Sequence, residues 1–365
     1  MVTKVLILSH TNSISNFKIG SHHYANFIKK KRQNFEVFFC SLPNSLLHKI
    51  RGERKEGKIM IEKEVEIIKI DSFLPITIKL PSVIEKFNSE LIFRYEVNNK
   101  IFNINFDIVI CDYPYFVKIL NKIRYRKLIY RPTDDYVAMR GKSAEVSEKK
   151  ILAKCDMIIC TSEIVKKSII DRYNETKEIF VIENGFDSSH FSANVSSKRG
   201  GCVYVGALDK RFDFEVLLEV AKKLPKVKFD IYGPLDNKLN HIFENSPDNL
   251  KFKGVAEYSE LPEILNKYKI GLLPLKGDNG NNGRSPMKLW EYTACGLKVV
   301  YSNIEHLKDN KDLYKYSNAE DLKSLIERID FNYRLNNENN DYLIDKSWDF
   351  KTDILLKKIK ILINE

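Results

Sequence analysis

In the last third of the chain, one stretch gathers the residue types and spacing that chemistry would need: Gly277-Asp278-Asn279-Gly280-Asn281-Asn282-Gly283-Arg284-Ser285-Pro286-Met287-Lys288-Leu289-Trp290-Glu291-Tyr292, with Gly296 four residues on. A glycine and asparagine loop leads into a short helix. Ser285 suits its cap, Pro286 its first position and Gly296 its left-handed exit. A helix starting there turns unpaired N–H groups and the positive end of its dipole toward an anion, and a diphosphate is the natural guest. Arg284 and Lys288 add charge at that end, and Lys288 and Glu291, three residues apart, share a face. The lysine then serves a phosphate, and one turn deeper the carboxylate can accept hydrogen bonds from both hydroxyls of a ribose.

A second group, Tyr130-Arg131-Pro132-Thr133-Asp134-Asp135-Tyr136, follows an apolar strand-like run. A carboxylate leaving a strand at its carboxyl end can take a proton from an attacking hydroxyl. Asp134 is the first choice as base and Asp135 the second, against the plainer reading that the pair caps a turn or the next helix. His22 and His23, in Gly20-Ser21-His22-His23-Tyr24-Ala25, are the rival bases, also following a strand at the edge of a cleft. No metal site is expected, because the chain has no Asp-x-Asp to grip a metal diphosphate. Lys288, Arg284 and the helix end would meet the departing charge instead.

Alternating elements must hold these groups. Apolar β-branched runs at 5–8, 37–40, 108–111, 128–130, 157–160 and 179–182 read as strands, with helical stretches at 21–32, 147–154 and 162–173, each opening on a serine able to cap. After Asn184-Gly185 and the polar stretch 196–201, the alternation restarts with strands at 202–205, 228–232, 250–252, 270–273 and 298–301. Helices at 213–223, 259–267, 286–295 and 319–329 lie between and after them. This pattern predicts an α/β protein of two facing, Rossmann-like doubly wound domains with an interdomain cleft. The expected divisions are 1–195 and 196–344, with a helix at 345–365 returning to the first domain. A length of 365 residues also exceeds what one core usually holds. Residues 41–105 are the least legible, with a charged run at 51–58, alternation at 59–70 and an apolar patch at 73–81 fit either for a membrane or for the core.

Charge is uneven. Residues 1–195 hold 32 Lys and Arg against 23 Asp and Glu, whereas 196–365 hold 28 against 26. A basic half attracts anionic lipid headgroups or a phosphate-bearing substrate, and with no nucleic-acid motif present, nucleic acid is not an expected partner. No apolar run reaches the roughly 18 residues that span a bilayer, and the run at 5–8 is shorter than the core of a secretion signal. The expectation is a cytoplasmic protein lying peripherally on the inner membrane face. Its six cysteines sit in apolar runs with no metal or redox spacing.

In this order the motifs resemble those of the GT-B glycosyltransferases, over nearly the whole chain. Val181-Ile182-Glu183-Asn184-Gly185-Phe186-Asp187 followed by Phe191 looks like the signature before the crossover between domains. Val203-Tyr204-Val205-Gly206 and Phe229-Asp230-Ile231-Tyr232-Gly233 look like the first two donor-domain strands, and Ser285-Pro286-Met287-Lys288-Leu289-Trp290-Glu291-Tyr292 with Gly296 is the most specific match. The segment from Gly20 to Ala25 and the Met287-Lys288 pair resemble the membrane-associated glucuronosyltransferase of xanthan-type polysaccharide synthesis. The resemblance implies a donor site at Gly206, Arg284, Ser285, Met287, Lys288 and Glu291, and a UDP-sugar as substrate with no separate cofactor. It also implies a lipid-linked or cell-surface glycan as acceptor. Many retaining members carry two glutamates eight positions apart, and Gly283 stands where the first would be, so inversion is expected. A nucleotide-sugar epimerase of the same fold and a retaining transferase are the alternatives. A dinucleotide oxidoreductase is excluded by the lack of Gly-x-Gly-x-x-Gly after either first strand.

Overall fold

The computed structural model describes residues 2–50, 57–78, 81–96, 99–236, 239, 241–244, 246–277, 283–305, 307, 310–335 and 341–364. The chain divides into two compact units, Met1–Glu183 with Trp348–Glu365, and Asn184–Ser347.

In the first unit, β1 (Thr3–Ser9), α1 (Gly20–Lys31), β2 (Phe35–Ser41), β3 (Glu66–Ile68), α2 (Ser82–Tyr95), β4 (Asn105–Cys111), β5 (Arg124–Tyr130), α3 (Tyr136–Arg140), α4 (Lys142–Leu152), β6 (Met157–Cys160), α5 (Glu163–Tyr173) and β7 (Ile179–Val181) follow one another. The strands pair in parallel in the order β7-β6-β5-β4-β1-β2-β3. Residues 5–9 of β1 are all buried, as expected of a strand covered on both faces. Each fully buried Leu, Ile or Val there contributes about 1.5–3 kcal/mol of transfer free energy.

The second unit repeats the plan with β8 (Cys202–Val205), α6 (Phe214–Lys223), β9 (Phe229–Tyr232), β10 (Leu250–Phe252), β11 (Ile270–Leu273), α7 (Lys288–Ala294), β12 (Lys298–Tyr301), β13 (Leu313–Lys315) and α8 (Ala319–Asn332). Its parallel sheet runs β10-β9-β8-β11-β12-β13. Both sheets therefore reverse direction beside their first strand, between β1 and β4 and between β8 and β11. At such a point the connecting loops diverge and leave a crevice at the strands' carboxyl ends.

The chain leaves the first unit at Glu183, earlier than residue 195. The reason is packing: Phe186 and Phe191 are buried in the core of the second unit, and the Phe186 N–H donates to the Lys346 carbonyl at 3.0 Å. The last helix, α9 (Trp348–Asn364), belongs to the first unit. Trp348, fully buried, lies edge-on to Tyr24 at 5.1 Å, and Lys31 donates to Asp349 and Asp353 at 2.8 and 2.9 Å.

Two of the three expected serine caps are absent. The α1 helix begins a residue before Ser21, whose hydroxyl pairs instead with that of Ser9 at 2.7 Å, tying the helix to the end of β1. The α4 helix begins at Lys142, and Ser147 lies inside it, bonded back to the Ser143 carbonyl at 3.1 Å. Ser162 does cap α5, accepting from the Val165 N–H at 3.2 Å. Within 41–105, β3 extends the main sheet, and the short pairs Asn44–Ser45 with Asp71–Ser72 and Ile14–Ser15 with Lys58–Ile59 add small ladders. In the apolar patch, Ile76 is buried while Phe73 and Ile78 are exposed, and Asn88 of α2 bonds both the N–H and the carbonyl of Leu74. Residues 51–56 and 79–80, parts of the charged run and of that patch, lie outside the described residues.

Candidate active site

In the second unit, β8 ends at Val205 and Gly206 follows. A Cβ on Gly206 would stand 2.6 Å from the Tyr204 hydroxyl, and one on Gly233, whose φ is +141°, would stand 1.8 Å from the Gly206 carbonyl oxygen. Gly233 requires glycine, since its φ is positive and the clash is with backbone, whereas at Gly206 the Tyr204 ring would have to move. The loop after β8 is stitched to the one after β11: the Asp213 N–H donates to the Pro274 carbonyl at 2.8 Å, and the Lys276 N–H to the Arg211 carbonyl at 2.9 Å. Within it, Arg211 forks onto both carboxylate oxygens of Asp209, which is held below the usual carboxylate range. Burial opposes that shift, and the hydrogen bonds from Arg211 and the nearby charge of Arg284 outweigh it.

Tyr292 fixes α7 over this crevice. Its hydroxyl accepts from the Val205 N–H at 2.7 Å, and its ring lies so close to Gly271 of β11 that a Cβ there would stand 2.2 Å away. The helix consequently presents Glu291, 2% exposed, beside Lys288, and the lysine Nζ donates to the Glu291 carboxylate at 2.7 Å. Tyr258, stacked on His190 at 4.5 Å, titrates above its ordinary value because of burial and the nearby carboxylates of Glu291 and Asp187.

The expected start of this helix needs correction. Met287, not Ser285, is its N-cap residue. Ser285 is turned to the start of the unit: its hydroxyl accepts from the Asn184 N–H and its carbonyl from the Asn184 side chain, each at 2.9 Å. The Asn184-Gly185 motif and the Ser285-Pro286 motif are thus one hydrogen-bonded unit. Residues 278–282 of the preceding loop lie outside the described residues. Of the donor-site residues expected from sequence, Gly206, Arg284, Lys288 and Glu291 frame the crevice, Ser285 braces it, and Met287 caps the helix. Asp209 and Arg211 were not singled out, although an Asp-x-Arg three residues past a strand-closing glycine is a readable signal.

In the first unit the loop after β5 carries Asp134, half-buried, with the Thr133 hydroxyl 3.3 Å from its Oδ2. Asp135 is committed elsewhere. It caps α3 by accepting from the N–H groups of Val137 and Ala138 at 3.1 and 3.0 Å, and it pairs with Arg172 at 2.9 Å. Burial favours its protonated form, yet the hydrogen bonds from Arg172 and Ala138 prevail and hold it below the usual range. Arg172 also reaches Glu148 at 3.6 Å, itself bonded by Tyr130 and Tyr173 at 2.7 and 3.0 Å, so a buried network anchors the loop.

The histidine pair is placed for packing, which corrects the expectation of a base there. His22 is fully buried, its Nδ1 accepting from the Ile19 N–H at 3.2 Å and its Nε2 lying 2.8 Å from the Asn12 carbonyl. Burial, only partly offset by that carbonyl, lowers it to about 4. His23, 1% exposed, stacks on Trp348 at 5.0 Å. The histidine that does stand at a crevice is His10, the first residue after β1, beside the buried ion pair of Asp112 and Arg131 at 2.7 Å. It went unnoticed because nothing around Leu8-Ser9-His10 forms a motif.

With this geometry in view, residues 199–330 match the family model described as Glycosyl transferases group 1. A Bacillus subtilis (strain 168) protein named "Putative teichuronic acid biosynthesis glycosyltransferase TuaH" is 27% identical over 193 residues, spanning 50% of this chain and 49% of that protein. The sequence match thus spans about half the length of that curated relative. Among solved structures, a sucrose-phosphate synthase from Thermosynechococcus elongatus is similar with a TM-score of 0.74 and 12% identity over 99% of both chains. Anabaena Alr3699/HepE, solved in complex with UDP-glucose, gives 0.63 and 12% over 99% of this chain and 98% of that one. These structures share the fold: two parallel-sheet, Rossmann-like domains of the GT-B kind. The family match thus falls within the second unit, whose residues 199–330 are similar to the glycosyl transferases group 1 model.

Proposed function

We propose that the protein is a metal-independent, inverting glycosyltransferase that moves a hexosyl or glucuronosyl residue from a UDP-sugar to a lipid-linked or cell-surface polysaccharide. The observation that carries this reading is the Lys288 and Glu291 pair on a helix that Tyr292 ties to the glycine-closed end of β8, with the charge of Arg284 near Asp209 in the loop that follows. Glu291 accepts hydrogen bonds from the ribose hydroxyls, while Lys288 and Arg284 offset the diphosphate charge that grows as the bond to the sugar breaks. In the transfer, the acceptor oxygen bonds to the anomeric carbon, the bond from that carbon to the diphosphate oxygen breaks, and the hydroxyl proton passes to the Asp134 carboxylate. Asp134 is preferred because Asp135 spends its oxygens on the cap and on Arg172.

Turnover of UDP-glucose and UDP-glucuronic acid with a panel of octyl glycosides, with and without a chelator, tests this. Chelator-insensitive transfer with inverted anomeric configuration is the expected result, and hydrolysis or epimerisation alone would remove the reading. The name of the Bacillus subtilis relative, a teichuronic acid glycosyltransferase, supports a cell-wall glycan acceptor.

A peripheral place on an anionic membrane is part of the same proposal. Among the described residues no helix is long and apolar enough to cross a bilayer. The exposed Val83, Ile84 and Phe87 of α2 beside Phe73 and Ile78, in the more basic unit, support surface binding. Co-sedimentation with phosphatidylglycerol vesicles that falls from 50 mM to 500 mM salt is expected, and no binding at either salt would remove this part.

A further inference from the structure

Among the arginines near the carboxyl ends of the first sheet, Arg140 is set apart. Arg131 is buried and paired with Asp112, and Arg172 pairs with Asp135 and Glu148. Arg140, the last residue of α3, is exposed, and among the described residues its side chain makes no hydrogen bond or ion pair. It stands four residues after Tyr136, on the same face of the helix. Tyr136 is buried edge-on against Tyr113 at 4.8 Å, so this face begins in the crevice after β4 and runs outward to Arg140. The charge reaches back into that crevice. Burial first, then Arg131 and Arg140, hold His10 at about 4, and Arg140 also pulls Tyr113 down against the burial that raises it. The turn beyond is open: Gly141 has a φ of +66°, and a Cβ there would meet nothing within 4 Å.

The same corner continues to the apolar surface of α2. Tyr115 fastens the loop after β4 to the start of α4, its hydroxyl 2.6 Å from the Ser143 Oγ. Lys118 stands over the Tyr115 ring at 5.4 Å, donates to the Ile78 carbonyl at 3.1 Å and pairs with Glu85 of α2 at 2.8 Å. On that helix Val83, Ile84 and Phe87 are exposed, as is Ile78. A path of contacts therefore joins an exposed apolar face, an unpaired arginine and an aromatic crevice. That order suits an amphiphile whose apolar chain, anionic link and sugar follow one another. A guanidinium offers such a link a planar fork, with two parallel hydrogen bonds to a phosphate or carboxylate.

We propose that Arg140 is the anion-recognition residue of the acceptor site, where its guanidinium pairs with an oxyanion carried by the acceptor. The phosphate that links a sugar to a lipid and the carboxylate of an acidic sugar both supply that chemistry, and the path to α2 favours the phosphate. The inference rests on the acceptor role proposed for this unit, and it narrows the acceptor to an anionic one.

Calorimetry on the whole protein tests it with N-acetylglucosamine joined to a decyl chain through a diphosphate, with octyl N-acetylglucosaminide and with octyl glucuronide. The wild-type protein should bind the diphosphate-linked sugar roughly 5- to 10-fold more tightly than the neutral octyl glycoside, the size expected of a forked but solvent-exposed pair. Arg140→Gln should erase most of that preference and Arg140→Lys should retain part of it, with UDP affinity and thermal midpoint unchanged. Lys150→Gln, which removes an exposed charge near the other end of α4, should leave the preference within about twofold of wild type. A preference for the glucuronide instead, lost in Arg140→Gln, would keep the contact and assign the anion to an acidic sugar. The contact is overturned by a wild-type protein that prefers neither anion or by a preference that survives Arg140→Gln. An equal loss in Lys150→Gln would also overturn it, leaving only the general field of the basic unit. Failure of the transferase reading looks different: the anionic probe would then bind through Arg140 while no UDP-sugar turned over.

Discussion

The two units carry sheets of the same strand order, β3-β2-β1-β4-β5-β6 in the first and its counterpart β10-β9-β8-β11-β12-β13 in the second, yet their strand ends are furnished differently. In the second unit β8 and β9 are both followed by glycines packed against each other, so no side chain covers the backbone there, and the charged side chains arrive from a separate helix. In the first unit β1, β4 and β5 lead into His10, Asp112 and Arg131, the last two paired with each other and the histidine packed beside Tyr113. Bare backbone suits an anion whose many oxygens accept from N–H groups. A side-chain-lined crevice suits neutral hydroxyls told apart by single hydrogen bonds. One plan thus yields two differently furnished sets of strand ends, through residues just past the strands, in keeping with the donor and acceptor roles proposed for them.

The contrast breaks most sharply at Asp134. Asp134→Asn should lower turnover by roughly 10²–10⁴ while UDP affinity stays as it was. A parallel loss of UDP binding would move the effect into the donor half.

Next in size is the pH dependence of the first unit. His22 is held at about 4 when folded and returns to about 6.5 when unfolded. Below 6.5 the unfolded chain therefore binds a proton that the folded chain refuses, and stability falls between pH 6.5 and 4 by up to about 3 kcal/mol from this residue. Urea titrations at pH 7 and 4.5 check it, and His22→Asn should lose less than wild type over that interval.

Lys288→Ala should weaken UDP binding about 10- to 30-fold with little change for uridine, as calorimetry would read. Equal losses for both would take the lysine away from the phosphates. The smallest effect belongs to Asp135→Ala, which removes a helix cap and a half-buried ion pair and should cost about 1–2 kcal/mol in urea with turnover reduced far less than in Asp134→Asn. A turnover loss as large as that of Asp134→Asn would exchange the roles of the two aspartates.

Legibility differed between the units for a physical reason. In the second, short runs set off by turn residues define each strand, and 202–205, 250–252, 270–273 and 298–301 coincide with the observed strands. The Lys288 and Glu291 pair could be placed because a helix fixes neighbours by spacing alone. What spacing could not reveal was a tertiary competitor: Ser285 looks like a cap, but Asn184, a hundred residues away, claims it. In the first unit, His10 and the ion pair of Asp112 with Arg131 are brought together by strand order, which no local pattern encodes. His22 and His23 misled because adjacent histidines look functional in one dimension, while α1 turns one into its own loop and the other onto Trp348. The α2 helix escaped notice because its outer face is apolar, with Val83, Ile84 and Phe87 exposed, and so lacks a clean amphipathic period.

The central claim is that the second unit binds a uridine diphosphate through the end of β8 and the residues of α7. Calorimetric titration of the purified protein with UDP, GDP, ADP, TDP and NAD, each with and without EDTA, tests it most directly. Selective binding of UDP, unchanged by EDTA and weakened in Lys288→Ala, is the predicted result; binding of NAD alone, or of no nucleoside diphosphate, would contradict it.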